Sequence, residues 1–502
     1  MPPSGSPYDE IAYPTHPQRA LHPDHIAGIG LLHGFACAPV AGARVLEIGC
    51  GNGANLIPMA AAYPGATFLG IDASGVAIGL AQEFAQRCGL ENIRFVAARL
   101  EEHPLLDGGF DYVLCHGVYS WVPDSVRESL FRVVARCLAP EGVAFISYNA
   151  LPGWHLRQPA RDILRWHLRG IDQPTEQMVE AKAFAKFLSQ AIPDEGPAGR
   201  ALRAEFATVA AKTPHVLWHD ELGPEHRAFY LHEFVAAAAG HGLSYLADSD
   251  LIEHLLANLD PKTVEALRSV ASDRIDLEQY VDIFVPRRFR QTLLVRSGRT
   301  VEPADVGRLA KGWFSAGLSL KEVAPEPGPV TSVRFEMRGG QALTTAFGPG
   351  VRALRHLIAA TPRRLAFGEL VELIGDVAKW KTADLLRFLF EAAAGGVVEW
   401  TAFGPGPARL PGERPIAFAP ARVRSESPLD LPTTGHRMIQ IPEPEPRQLL
   451  GLCDGTRTRG QLLEALNGTE GPGTASGGTK TWNREDMDAL LARLGSLGLF
   501  VG

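Results

Sequence analysis

Val45-Leu46-Glu47-Ile48-Gly49-Cys50-Gly51-Asn52-Gly53 decides how this sequence is read. An apolar, strand-like run meets a turn with glycine at every second position. Glycine permits positive φ and lets a ligand approach the backbone closely. A turn of this kind between a strand and a helix places a ligand at the C-terminal edge of a parallel sheet.

Working outward, short apolar runs alternate with amphipathic ones. Strands are expected at Arg44–Ile48, 67–71, Ile93–Ala97, 112–115 and 143–147. Helices are expected at 52–63, 74–88 and 124–138, the last with Asp124 as its N-cap. Runs at 243–246, after a helix at 232–241, and at 289–295 complete the sheet. The result is an α/β fold, a Rossmann-like sheet of seven strands. Stretches 155–225 and 250–285 read as helical insertions that cover the active-site face.

Two acids tip the choice of ligand that the glycines hold. Gly49-Cys50-Gly51-Asn52-Gly53-Ala54 also fits the loose dinucleotide pattern. Glu47 lies two residues before the first glycine, where its charge opposes a pyrophosphate. S-adenosylmethionine has no phosphate; its ammonium and sulfonium favour a nearby acid. The next strand ends in Phe68-Leu69-Gly70-Ile71-Asp72, and a carboxylate there accepts from both ribose hydroxyls. Glu47, Gly49, Cys50, Gly51, Asn52, Gly53, Asp72 and Ala73 are therefore the expected donor residues, and Cys50 is a buried spacer.

Beyond Ser297 the texture changes. Pro/Gly-rich segments at 325–329, 404–415 and 468–478 read as linkers or loops. Between them helices at 353–360, 367–374 and 383–394 precede a strand at 397–400. Segments 448–453, 459–466, 484–494 and 499–501 repeat that order, a winged-helix-like pattern. Acidic and basic residues nearly balance there, which favours a structural or protein-interaction role over DNA binding. The expected division is an arm or lid at 1–40, a donor-binding core at 41–155, a regulatory region at 156–298, a linker at 299–345 and C-terminal units at 346–502.

The net charge of −7 and the dispersed Lys and Arg argue against nucleic acid as a partner. No apolar run is long enough to span a bilayer. Residues 1–10 lack the basic start and apolar core of a signal peptide. The six cysteines form no C-x-x-C pair, which fits reduced thiols in a cytoplasm. His22-Pro23-Asp24-His25 resembles a metal pair, but Pro23 breaks helical ligand spacing, so no metal is expected.

Residues 13–167 resemble a bacterial class I methyltransferase family that carries a methyltransferase regulatory domain and includes protein-lysine methyltransferases acting on outer-membrane proteins. The matching pieces are Tyr13-Pro14-Thr15-His16-Pro17, Asn55-Leu56-Ile57-Pro58-Met59-Ala60, His116-Gly117-Val118-Tyr119-Ser120-Trp121-Val122-Pro123 and Ser147-Tyr148-Asn149-Ala150-Leu151-Pro152-Gly153-Trp154. Tyr230-Leu231-His232-Glu233-Phe234, Gly242-Leu243-Ser244-Tyr245-Leu246, Gln279-Tyr280-Val281-Asp282 and Arg288-Phe289-Arg290-Gln291-Thr292-Leu293-Leu294 are similar to the regulatory domain. The resemblance implies an S-adenosylmethionine-dependent methyltransferase acting on a protein lysine, with Tyr13 as a lid residue over the cofactor. It also exposes a departure: Arg99 stands where the family commonly has an acid for the adenine amine, leaving backbone groups at 98–100, including Leu100, or Glu101 for that contact.

Methyl transfer from a sulfonium is an in-line displacement that needs no metal or nucleophilic cysteine. The loop after the fourth strand faces the methyl group in this architecture. Tyr119 and Trp121 are candidates for an aromatic wall. His116 is a candidate base or loop anchor that also borders the cofactor, and Asn149, with Tyr148, is placed to orient an amine. Methylation of a small molecule, a non-catalytic cofactor-binding interaction protein and a nicotinamide oxidoreductase stay open as alternatives, as does a homodimer.

Overall fold

A computed structural model describes every residue except 1–12, 14, 102–107, 252–255, 257–258, 318–319, 324–331, 338–339, 376–379, 427–429 and 469–480. The expected linker at 325–329 and nearly all of 468–478 lie outside the described residues.

Seven strands form the central sheet: β1 (Arg44–Ile48), β2 (Thr67–Asp72), β3 (Ile93–Ala97), β4 (Phe110–Cys115), β5 (Leu138–Asn149), β6 (Leu243–Asp248) and β7 (Phe289–Arg296). Their order is β3-β2-β1-β4-β5-β7-β6. The first five are parallel, and β7 runs antiparallel to both β5 and β6. Order reverses at β1, so β1 and β4 part above a crevice at their C-terminal ends, where α/β sheets bind ligands.

Helices cover both faces. In Asp124–Cys137 the buried residues Leu130, Phe131, Val134 and Cys137 lie on one side, which is the stripe that meets the sheet. Ser74 caps Gly75–Arg87, its hydroxyl accepting from Ala77 N at 3.0 Å. Asp124 is not the cap expected of it. Pro123 occupies that position, and Asp124 sits in the first turn, where its carboxylate holds Arg127 at 3.0 Å and Arg227 at 3.2 Å. The helix expected from residue 52 starts at Leu56 instead, because Gly51 and Gly53 take φ of +52° and +73°, outside helical geometry.

The stretch 155–225 is largely helical, as its pattern indicated. Gln158–His167, Pro174–Ala191 and Gly196–Ala211 close over their own small core of Ala160, Leu164, Phe206 and Leu217. Near β6 and β7, fully buried Arg290 bonds Asp282 at 2.8 Å, Asp248 at 3.2 Å and Glu278 at 3.2 Å. Removing the cation from such a buried cluster costs on the order of 3–5 kcal/mol, because the acids are left uncompensated.

Two expectations need correction. Within the arm at 1–40, Pro23–Leu32 is a buried helix rather than a lid; Gly28 lies against the Trp400 ring, which an added Cβ would meet at 3.1 Å. The stretch 299–345 is not a simple linker. It contains a 3-10 helix, Val306–Lys311, and strands Trp313–Ala316, Lys321–Val323, Val333–Glu336 and Ala342–Thr345. Trp313–Ala316 is the centre of a three-stranded sheet with Leu365–Ala366 and Val398–Thr401. In the first C-terminal unit, helices Gly348–Ala360, Phe367–Ile374 and Thr382–Ala394 are present, but the strand after them pairs with one that precedes them. The second unit has helices Pro444–Leu452, Arg459–Gly468 and Arg484–Ser496, and its end forms an isolated bridge between Phe500 and Ala417, flanked by Val501 N to Ile416 O at 3.0 Å and Phe418 N to Leu499 O at 2.8 Å.

No helix among the described residues is long and apolar enough to cross a membrane. All six cysteines are free thiols.

Candidate functional site

β1 delivers Glu47 and the glycine turn to the crevice. Gly49, Gly51 and Gly53 take φ of +76°, +52° and +73°. A Cβ on Gly49 would come within 2.4 Å of Val118 Cγ2, and one on Gly53 within 2.7 Å of Phe95 Cζ. The turn is tied down by Gly49 N donating to Ile71 O at 2.8 Å and Gly53 N to Cys50 O at 3.0 Å. Cys50 is buried, and its sulfur lies 2.8 Å from where Gly70 would carry a Cβ.

Glu47 is buried, with Oε1 accepting from Asn55 Nδ2 at 3.0 Å. Among the described residues nothing hydrogen-bonds its Oε2. Burial pushes the Glu47 carboxyl up to about 8, against the hydrogen bond from Asn55, and the nearby Asp72 charge adds to the rise. Asp72 ends β2 with both oxygens engaged: Oδ2 accepts from Gly51 N at 2.9 Å and Oδ1 from Ser74 N at 2.8 Å. A glycine cradle that a Cβ would fill, beside a buried carboxylate oxygen without a partner, fits the cationic amino-acid end of S-adenosylmethionine.

The remaining donor candidates lie around that cradle. Ala73 is exposed in the turn after β2, and Arg99 is exposed after β3, while Leu100 is half-buried against the sheet core. Asn52 accepts from Thr15 Oγ1 at 2.5 Å, so the N-terminal arm crosses the glycine turn. Tyr13 packs edge-on to His219 at 5.4 Å between ring centroids.

Across the crevice, β4 and β5 bring up the acceptor candidates. His116 Nδ1 pairs with Ser147 Oγ at 3.0 Å, and that oxygen accepts from Gly117 N at 2.9 Å. Burial, with His16 nearby, pushes His116 down to about 4. Asn149 is buried, its N–H donating to Ser120 Oγ at 2.8 Å and its amide pairing with His226 Nε2 at 3.0 Å. Trp121 lies 4.8 Å from the His226 ring, and Trp154 stacks on the same ring at 4.6 Å.

Two candidates go elsewhere. Tyr119 is buried among Phe131, Tyr148, Phe229 and Phe234, so its ring belongs to the core rather than to a cleft wall. Tyr148 stacks on Phe234 at 4.1 Å on the opposite face of β5 from Ser147, as strand alternation demands.

Sequence reasoning missed His226. No motif marks it; it arrives because segment 226–229 crosses the strand ends, with Arg227 N bonding Ser120 O at 2.8 Å and Phe229 N bonding Asn149 O at 3.0 Å. Burial pushes His226 down to about 3, with Arg161 contributing. Trp154 was visible only as the end of the Ser147–Trp154 piece.

Residues 45–142 match the family model for a methyltransferase domain, and residues 213–296 match that for a predicted methyltransferase regulatory domain. An uncharacterized protein of Rickettsia prowazekii (strain Madrid E) is 32% identical over 232 residues, 46% of this chain and 93% of that protein. The chain belongs to the class I S-adenosylmethionine-dependent methyltransferases. Another uncharacterized protein of the same organism is 38% identical over 290 residues, 58% of this chain and 52% of that protein, so the match spans about half of that relative's length. Among solved structures, PKMT2 from Rickettsia typhi in complex with AdoHcy shares the fold: TM-score 0.82 at 23% identity, covering 98% of this chain and 100% of that one. Within the family region, the match to the regulatory domain begins at residue 213, so the three-helix core formed by 158–211 precedes it.

Proposed function

We propose that this protein transfers the methyl group of S-adenosylmethionine to an acceptor amine, and that the acceptor is a protein lysine. The observation that carries the donor half is the partnerless, buried Glu47 Oε2 at the mouth of a left-handed glycine cradle. PKMT2, solved with AdoHcy, supports the same reading.

S-adenosylmethionine, when bound, supplies a methyl group already activated on a sulfonium. What remains for the chain is to align donor and acceptor and exclude water, and orientation of this kind contributes roughly 7–11 kcal/mol. Glu47 faces the donor ammonium. Asp72, held at the end of β2 by the N–H groups of Gly51 and Ser74, is the carboxylate for the ribose hydroxyls. Leu100 and the backbone after β3 border the adenine, with Arg99 directed to solvent.

On the acceptor side, Asn149 is gripped by Ser120 and His226, which leaves one amide atom to orient an amine. Trp121 and Trp154 offer aromatic faces to a lysine stem. His116, neutral above about pH 5 with its pKa near 4, holds a proton poorly. Its role in this proposal is to anchor the Gly117 turn through Ser147.

Incubation with donor labelled in the methyl group and proteins of the host tests the reading. Label should enter protein and be recovered as methyl-lysine after hydrolysis. Label confined to small molecules overturns the lysine acceptor; no transfer despite donor binding overturns the enzyme.

A further inference from the structure

The second C-terminal unit reaches into the donor site. Its core of Phe418, Leu449 and Leu491 packs against Ala61 and Ala62, on the helix that follows the glycine turn. From the same unit the turn at 433–437 presents His436, whose Nε2 lies 2.6 Å from Asn55 Oδ1. Asn55 Nδ2 in turn donates to Glu47 Oε1 at 3.0 Å. His436 and Asn55 are both buried.

The chain of contacts has a fixed polarity. Asn55 Oδ1 also lies 3.3 Å from Gln18 N, which can only donate. Oδ1 is therefore the acceptor of both contacts, His436 carries its proton on Nε2, and Asn55 is left with its NH2 facing Glu47. Were the amide turned over, its oxygen would face the carboxylate.

The backbone pays attention to the same residue. Among the described residues His436 is the one non-glycine at positive φ, +60°. The turn is held in that shape by His436 N to Thr433 O at 3.0 Å, Thr434 N to Gly498 O at 2.9 Å and Thr434 Oγ1 to Gly498 O at 2.9 Å. Arg437 anchors its far side on Glu399 at 2.6 Å. The His436 ring lies 5.0 Å from that of His22. An uncommon backbone conformation, maintained by this many contacts, aims one imidazole at one amide.

We propose that His436 is a positioning residue for the donor site: by donating to Asn55 Oδ1 it locks the Asn55 amide so that Glu47 is oriented toward the donor ammonium. The C-terminal unit is thereby part of the donor-binding machinery. This inference rests on the donor reading above.

The test compares two substitutions in the full chain by calorimetric titration with AdoHcy. His436→Asn suits a left-handed backbone but is too short to reach Asn55. His436→Gln can place an amide N–H where Nε2 stood. His436→Asn should weaken AdoHcy binding roughly tenfold, the worth of one hydrogen bond, and His436→Gln should stay within about twofold of the unsubstituted protein. Circular dichroism of both variants at the titration temperature should match that of the unsubstituted chain, which separates positioning from folding. Equal affinity of His436→Asn and the unsubstituted chain overturns the inference alone, as does equal loss in both variants. Absence of AdoHcy binding by the unsubstituted chain overturns the donor reading and the inference together.

Discussion

The two sides of the crevice are built by different means. The proposed donor side is made mostly of backbone: three left-handed glycines within five residues, and two acids at the ends of adjacent strands. The proposed acceptor side is made of side chains from four separate places, Trp121, Asn149, Trp154 and His226, which meet only when the chain has folded. A backbone site depends on positions where a single methyl group is intolerable. A side-chain site depends on convergence, and losing one member leaves the scaffold standing. Substitutions on the two sides should therefore fail in different ways.

The largest effect is expected at Gly49. Alanine there must adopt φ of +76° with its Cβ 2.4 Å from Val118 Cγ2. Gly49→Ala should raise the AdoHcy dissociation constant by more than about 100-fold while circular dichroism stays native-like, since strain and clash are both confined to the turn. Retained binding would break the contrast, because the donor side would then tolerate what a backbone site cannot.

Asn149→Ala comes next and should fail oppositely. It should lower the rate of methyl transfer roughly 10- to 100-fold, the scale of a misplaced acceptor, with AdoHcy affinity within about twofold. A large loss of AdoHcy affinity would place Asn149 on the donor side instead.

How much of this was legible follows the same division. The strands of the sheet and the glycine turn could be read because periodicity and local motif carry them, and β1 and β3 fall on the very runs expected as strands. Tyr119 was misread. Its ring turns into a cluster supplied by residues 131, 148, 229 and 234, which no local pattern announces. Asp124 was assigned as a cap by type, whereas Pro123 takes that position and Asp124 binds two arginines. His226 and His436 were invisible, since each acts through a contact with a residue 77 or 381 positions away.

The smallest effect is on stability against acid. Burial pushes His25 and His226 down to about 3 and His33 and His116 down to about 4. Each is depressed in the folded state, so the unfolded chain takes up more protons as pH falls below about 6.5. Their contribution is full above that value and is lost progressively toward pH 4 and 3. The melting temperature should fall by a few degrees or more between pH 6.5 and 4.5, and His226→Gln should make the fall shallower; an unchanged slope would mean that His226 is not held neutral.

Calorimetric titration of the full chain at pH 7 with AdoHcy, and separately with NAD, in buffers of different ionisation enthalpy, tests most directly whether Glu47 and the glycine turn form a site for a sulfur nucleoside that carries an ammonium. Because burial holds the free Glu47 carboxyl at about 8, pairing with the ammonium should ionise it. AdoHcy should bind with release of up to about one proton, and NAD should not bind. Tight binding of NAD with none of AdoHcy would contradict it.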